Sequence, residues 1–190
     1  MQSRSNDGPI KYEDRIRTIS HRKFKKYVLK LSKEIKKYTD ENNIRIDYVV
    51  PILRSGAVPA VYIANELNLI KFAPIQVKKI KTDGVYDHII LLNSLKDLDK
   101  ERELNLLVVE GTYSSGETMN KALYEIKQTL PKANILLACV CVRGEENLPK
   151  DVKKSFYGFD LPREKLFVYP WELKEQKETH PDQKMENIFY

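Results

Sequence analysis

Two apolar patterns alternate along the chain. Over residues 21–39, Phe24, Val28, Leu31, Ile35 and Tyr38 recur three and four apart, with lysines between them. That spacing predicts a helix with one buried face, and Ser20 is a fair N-cap for it. "IDYVVPIL" then runs continuously apolar, as a parallel strand covered on both faces does. Arg54-Ser55-Gly56 breaks the run. "AVPAVYIANELN" resumes as a helix with Pro59 in its first turn, where proline is tolerated.

"APIQVKKI" predicts a second strand, "KTDGVYDH" a turn-rich connection and "IILLN" a third strand. Polar "SLKDLDKEREL" leads into "NLLVVE", the central strand, followed by the small-residue loop "GTYSSG". A helix over about residues 117–130 stops before Pro131, and "NILLACVCV" is the next strand, closed by Arg143-Gly144. Residues 1–9 are polar and expected to be poorly ordered, and residues 174–190 form a polar tail. Strands alternating with helices predict an α/β fold with an open, mostly parallel central sheet flanked by helices. A length of 190 residues suits one domain.

Composition narrows the setting. Apolar content of 42% and charged content of 32% are those of a soluble globular protein. The longest apolar runs are far short of a membrane span, and the start carries no secretory pattern, so a cytoplasmic protein is expected. Cys139 and Cys141 lie two apart in a strand pattern, without metal-ligand spacing, and read as buried core residues. The net charge of +6 is concentrated in "HRKFKKYVLKLSKEIKK", where a solvated helix face accounts for it. No motif that reads RNA or DNA accompanies it, so a nucleic-acid partner is not expected.

On such sheets ligands bind at the carboxyl ends of the strands. Two loops sit there and lead into helices, Arg54–Ala57 and Gly111–Thr118. Ser114, Ser115 and Thr118 offer hydroxyls, while Gly111 and Gly116 let a backbone approach closely. Strand, small-residue loop and helix together present backbone N–H groups to a phosphate. Taken singly, "SSGET" also suits a surface turn and Arg54 a salt-bridged arginine. The order and placement of both loops favour a paired anion site.

At these residues the chain resembles a family. "VVPILRSGAVPAVYIANEL", "LLVVEGTYSSGETM" and "DLPREKLFVYPWEL" are similar, in that order, to segments of type I phosphoribosyltransferases. The closest likeness is to the purine branch, the xanthine and hypoxanthine-guanine enzymes, and it covers about residues 20–173. The resemblance implies a Rossmann-like sheet with a small hood formed by terminal segments, residues 150–173 serving the base. It implies transfer of 5-phosphoribose from phosphoribosyl pyrophosphate to a purine, with release of pyrophosphate, and Mg²⁺ as cofactor. It also implies a homodimer, and a mobile loop over residues 80–104. By position, Arg54, Ser55 and Gly56 would hold pyrophosphate. Ser114, Ser115, Gly116, Glu117 and Thr118 would cradle the 5′-phosphate. Glu110 would sit under the ribose hydroxyls and, with Glu172, face the metal; Glu110 and Ser114 occupy the catalytic positions. Arg143, Leu166, Phe167 and Glu172 would meet the base.

The loop also departs from the family pattern, which has two adjacent acids and then Asp-Thr-Gly. Gly111 stands where the second acid is expected and Ser114 where the aspartate is. A serine hydroxyl is no general base near neutral pH without a partner. Three readings stay open: an active purine phosphoribosyltransferase, a sensor or regulator that binds phosphoribosyl pyrophosphate or a nucleotide without turnover, and a related transferase or hydrolase on another nucleotide-like substrate.

Overall fold

A computed structural model describes residues 16–82, 85–91, 93–144 and 148–172. The expected loose ends at 1–9 and 174–190 lie outside these residues. The elements are β1 (Ile16–Thr18), α1 (His21–Glu41), β2 (Tyr48–Leu53), α2 (Ala57–Leu67), β3 (Ile75–Thr82) and β4 (Val85–Leu91). They continue with α3 (Asn93–Lys96), β5 (Asn105–Tyr113), α4 (Glu117–Thr129), β6 (Asn134–Val142), β7 (Lys154–Asp160) and β8 (Leu166–Val168).

Six strands form the main sheet in the order β4-β3-β2-β5-β6-β7. All neighbours pair parallel except β3 and β4, so the expected mostly parallel sheet is present. Its interior strands are apolar on both sides because both faces are covered. Along β5 and β6, Leu106, Val108, Ile135, Leu137 and Cys139 pack with Met119, Ala122, Leu123 and Ile126 of α4. The alternate residues Leu107, Val109, Leu136, Ala138 and Val140 pack with Phe24, Val28, Leu31 and Ile35 of α1 and Ala60, Ile63 and Ala64 of α2. Four of the five residues that the helical period selected are thus buried, and the fifth, Tyr38, packs against them partly buried. Ser20 caps α1 by accepting from Lys23 N at 3.2 Å, which satisfies one of the first-turn amides. Both cysteines are buried and free, and burial pushes their thiols up, Cys141 to about 12, so they are inert core residues.

A second, two-stranded sheet pairs β1 with β8 in parallel, joining the two ends of the described chain. This is the small hood of terminal segments. Three features differ from the sequence reading. The stretch read as a turn-rich connection supplies the first residues of β4, which starts at Val85, before the expected third strand "IILLN", and pairs with β3 over seven positions as an antiparallel hairpin. The Asp-Gly dipeptide at 83–84 is a hairpin signal in the sequence. β5 extends through Tyr113, three residues past the predicted end. β7 forms the edge of the sheet with a mixed burial pattern that gives little periodic signal. No helix among the described residues is long and apolar enough to cross a membrane.

Candidate functional site

From β2 the sheet grows one way through β3 and the other way through β5. The carboxyl ends of β2 and β5 therefore flank a topological switch point, where open α/β sheets hold ligands. The Arg54–Gly56 turn follows β2 across a cis Leu53–Arg54 peptide bond. It closes through Gly56 N donating to Ile52 O at 2.8 Å and Ala57 N donating to Arg54 O at 3.1 Å. Gly56 is pressed onto β5: a Cβ there would lie 2.2 Å from Val109 O. Only glycine lets the turn seat so low.

That seating brings Ser55 to Glu110. Ser55 Oγ donates to Glu110 Oε1, and Gly111 N donates to the same oxygen at 2.7 Å. Glu110 is buried, and burial pushes its carboxyl from 4.5 up to about 7; the two hydrogen bonds pull it down and nearby Glu172 pushes it up again. Gly111 matters sterically as well, since a Cβ there would lie 3.0 Å from Ser55 O and 3.1 Å from Ser55 Cβ.

The second loop is shorter than predicted, because Gly111–Tyr113 belong to β5. Ser114 and Ser115 lead to Gly116, whose φ of +80° is open to glycine at no steric cost. A Cβ at Gly116 would lie 2.2 Å from Tyr113 Oη, so the turn folds onto that ring. Gly116 is the N-cap of α4 and supplies no side chain to its amides, while Glu117 in the first turn suits the helix dipole. Thr118 follows within the first turn, half-buried.

Arg143 follows β6. Its N–H donates to Tyr113 O at 2.8 Å, Nη1 donates to Ser114 Oγ at 2.7 Å, and Nη2 donates to the Arg163 carbonyl. The structure thus places Arg143 against the 114–116 turn and the turn between β7 and β8. Leu166 is buried in β8, and Phe167 is half-buried, with its ring against Phe159 and Tyr169 at 4.9 and 4.7 Å between centroids. Glu172 Oε2 accepts from Tyr169 N at 2.9 Å. Glu110 and Glu172 are close enough to repel, but the described residues contain no group of three His, Cys, Asp or Glu suited to a metal.

Several neighbours carry no sequence signal that singled them out. Thr112 Oγ1 donates to Tyr169 Oη at 3.2 Å. Tyr169 stacks on Trp171, 4.8 Å apart and 9° from parallel, and Phe24 meets Trp171 and Tyr62 edge-on at 4.9 and 5.3 Å. This aromatic group bonds the segment after β8 to α1 and α2, each pair adding to its apolar burial. Two surface grooves, of about 460 and 380 Å³, lie at the α1–β7 seam and at the amino-terminal edge of the sheet, away from these residues.

Strand order, two loops at a switch point and a buried carboxylate between them define an open α/β sheet protein with a candidate ligand site at the carboxyl ends of its strands. The chain belongs to the phosphoribosyl transferase domain family, whose sequence model matches residues 19–175. No curated protein matches it significantly in sequence. Among solved structures it is similar to a purine phosphoribosyltransferase from Pyrococcus horikoshii, at 20% identity and a TM-score of 0.64, covering 82% of this chain and 93% of that one. It is similar to a xanthine-guanine-hypoxanthine phosphoribosyltransferase from Helicobacter pylori, at 17% identity and a TM-score of 0.65, covering 86% and 99%. A hypothetical protein from Neisseria gonorrhoeae with bound ppGpp matches at 17% identity and a TM-score of 0.68, covering 86% and 94%. At these identities the likeness is one of fold.

Proposed function

We propose that this protein is a purine-type phosphoribosyltransferase, taking phosphoribosyl pyrophosphate and a purine or purine-like base to a nucleoside monophosphate and pyrophosphate. The observation that carries the reading is the buried Glu110 between the Arg54–Gly56 and Ser114–Thr118 loops, tied to the first through Ser55. A substrate with an anion at each end and ribose hydroxyls between them matches that order. Backbone amides and hydroxyls of residues 114–118 would hold the 5′-phosphate, the 54–56 turn the pyrophosphate, and Glu110 a ribose hydroxyl. Leu166 and Phe167 would lie against the base.

Hard oxygen donors and substrate phosphates suit Mg²⁺, and Glu110 and Glu172 are the carboxylates that would hold it with them. When bound, that ion offsets charge on the departing pyrophosphate. Ser114 cannot take a proton from the base here, because its hydroxyl already accepts from the cationic Arg143. Proton removal then falls to water or to Glu110. A homodimer belongs to the same proposal, and sedimentation measures it.

The Ser114–Arg143 contact favours a second reading, binding without turnover as a sensor or regulator. The Neisseria structure with bound ppGpp is a precedent for nucleotide binding on this fold. Purified protein with phosphoribosyl pyrophosphate, Mg²⁺ and each purine, followed for pyrophosphate release beside a binding titration, separates the two. Release supports the transferase; binding with no release sinks it in favour of the second; no binding removes both.

A further inference from the structure

Arg143 makes contacts on both sides of the strand it follows. Its backbone N–H extends the β5–β6 pairing beyond the last register pair, Tyr113 with Val142. Its guanidinium then spans sideways, Nη1 to Ser114 Oγ and Nη2 to the Arg163 carbonyl. A guanidinium is a planar, rigid fork, so partners bound at two of its corners are held at a set separation. The two partners belong to different parts of the site. Ser114 opens the 114–116 turn, and Arg163 lies in the 161–165 turn that feeds β8. The neighbouring Gly144 N donates to Asp160 Oδ1 at 3.0 Å, which fixes the start of that same turn.

We infer that Arg143 is a positioning residue, clamping the 114–118 loop to the 161–165 turn instead of reading the base. Each terminal nitrogen gives one of its two N–H groups to a protein acceptor, which fixes the plane of the guanidinium, and Nε is buried without a partner among the described residues. Serine at 114 is part of the device. A neutral hydroxyl accepts from the guanidinium without adding a carboxylate to that of Glu164, which already acts on it. An aspartate at 114 would add one and form an ion pair with Arg143. The inference rests on reading 114–118 as the phosphate loop, but the clamp itself is testable without any ligand.

Hydrogen exchange on the full chain reads the clamp. Arg143→Ala should speed exchange of the 115–118 amides and leave the β5 core amides 106–109 unchanged. Ser114→Ala should do the same at 115–118, and the double variant should add nothing further. Ribose 5-phosphate titration reads the consequence: Arg143→Ala should bind about tenfold more weakly, the loss of one charge-assisted contact. Arg143→Lys, which keeps the charge but not the fork, should recover only part. Unchanged exchange at 115–118 in Arg143→Ala overturns the clamp. So does unaltered ribose 5-phosphate affinity with weakened purine binding, the pattern of a base reader. If the wild-type protein binds no ribose 5-phosphate, the phosphate-loop reading falls, and the exchange result still decides the clamp.

Discussion

Replacing Gly56 by alanine puts a methyl carbon 2.2 Å from Val109 O and 2.8 Å from Ile52 O. A carbon and a carbonyl oxygen ordinarily stay about 3.3–3.6 Å apart, so the first contact must open by about 1 Å. Neither oxygen can turn aside, because both belong to sheet strands, and Val109 sits opposite Pro51 in the β2–β5 pairing. The yielding part has to be the 54–56 turn and the start of α2, whose Ala60, Ile63 and Ala64 are buried in the core. Forcing atoms into a packed interior costs about 1–3 kcal/mol or more. Gly56 has φ −75°, a conformation alanine accepts, so reduced freedom of the unfolded chain returns about 0.4–1 kcal/mol. The net loss is about 2 kcal/mol, which for a chain of this size lowers Tm by about 4–8 °C. Calorimetry measures it, and pyrophosphate affinity should fall with it as Ser55 lifts off Glu110. A Tm within about 1 °C of wild type would refute the seating of this turn on β5.

Glu110 supplies a pH test. Its carboxyl is raised from 4.5 to about 7, so the folded chain binds the proton more tightly than the unfolded chain. Stability from this group is therefore fully present below 4.5 and is lost as pH rises to about 7, a span of about 3 kcal/mol. Urea unfolding at pH 5 and pH 8 should show wild type losing more than Glu110→Gln; equal losses contradict the burial argument. Gly116→Ala should cost about 1–2 kcal/mol for its left-handed backbone, plus the clash with Tyr113 Oη. Tyr113→Phe in that background should restore part of the loss, and strict additivity would exclude the clash. Phe24→Ala should cost about 3–5 kcal/mol and shift the emission of Trp171, the single tryptophan, because the two rings touch edge-on. Unchanged emission would show that the group is not packed as described.

Legibility in the sequence followed the range of the interactions. The residues of α1 that turn inward, the doubly covered β5 and β6 and the two strand-end loops were all readable, because burial imposes a period on the local chain. Both strands of the β3–β4 hairpin carry a local signal, but only the pairing with β3 extends β4 back from "IILLN" to Val85. Small and polar residues after Glu110 predict the end of β5 there, while pairing of Thr112 with Cys141 and Tyr113 with Val142 carries the strand on. A partner strand decides such an end, and the local residues do not.

The same division runs through the site. By itself, the sequence determined an α/β chain, the apolar faces of its elements and the order in which two anion-suited loops occur. Only the tertiary structure decided that Ser55, 55 residues from Glu110, donates to it, that Thr112 meets Tyr169, and that Arg143 spans Ser114 and the Arg163 carbonyl. Periodicity records whether a side chain is covered. Which group faces it across the sheet depends on strand order and on how closely backbones approach, as at Gly56 and Gly111, and neither is written in neighbouring residues.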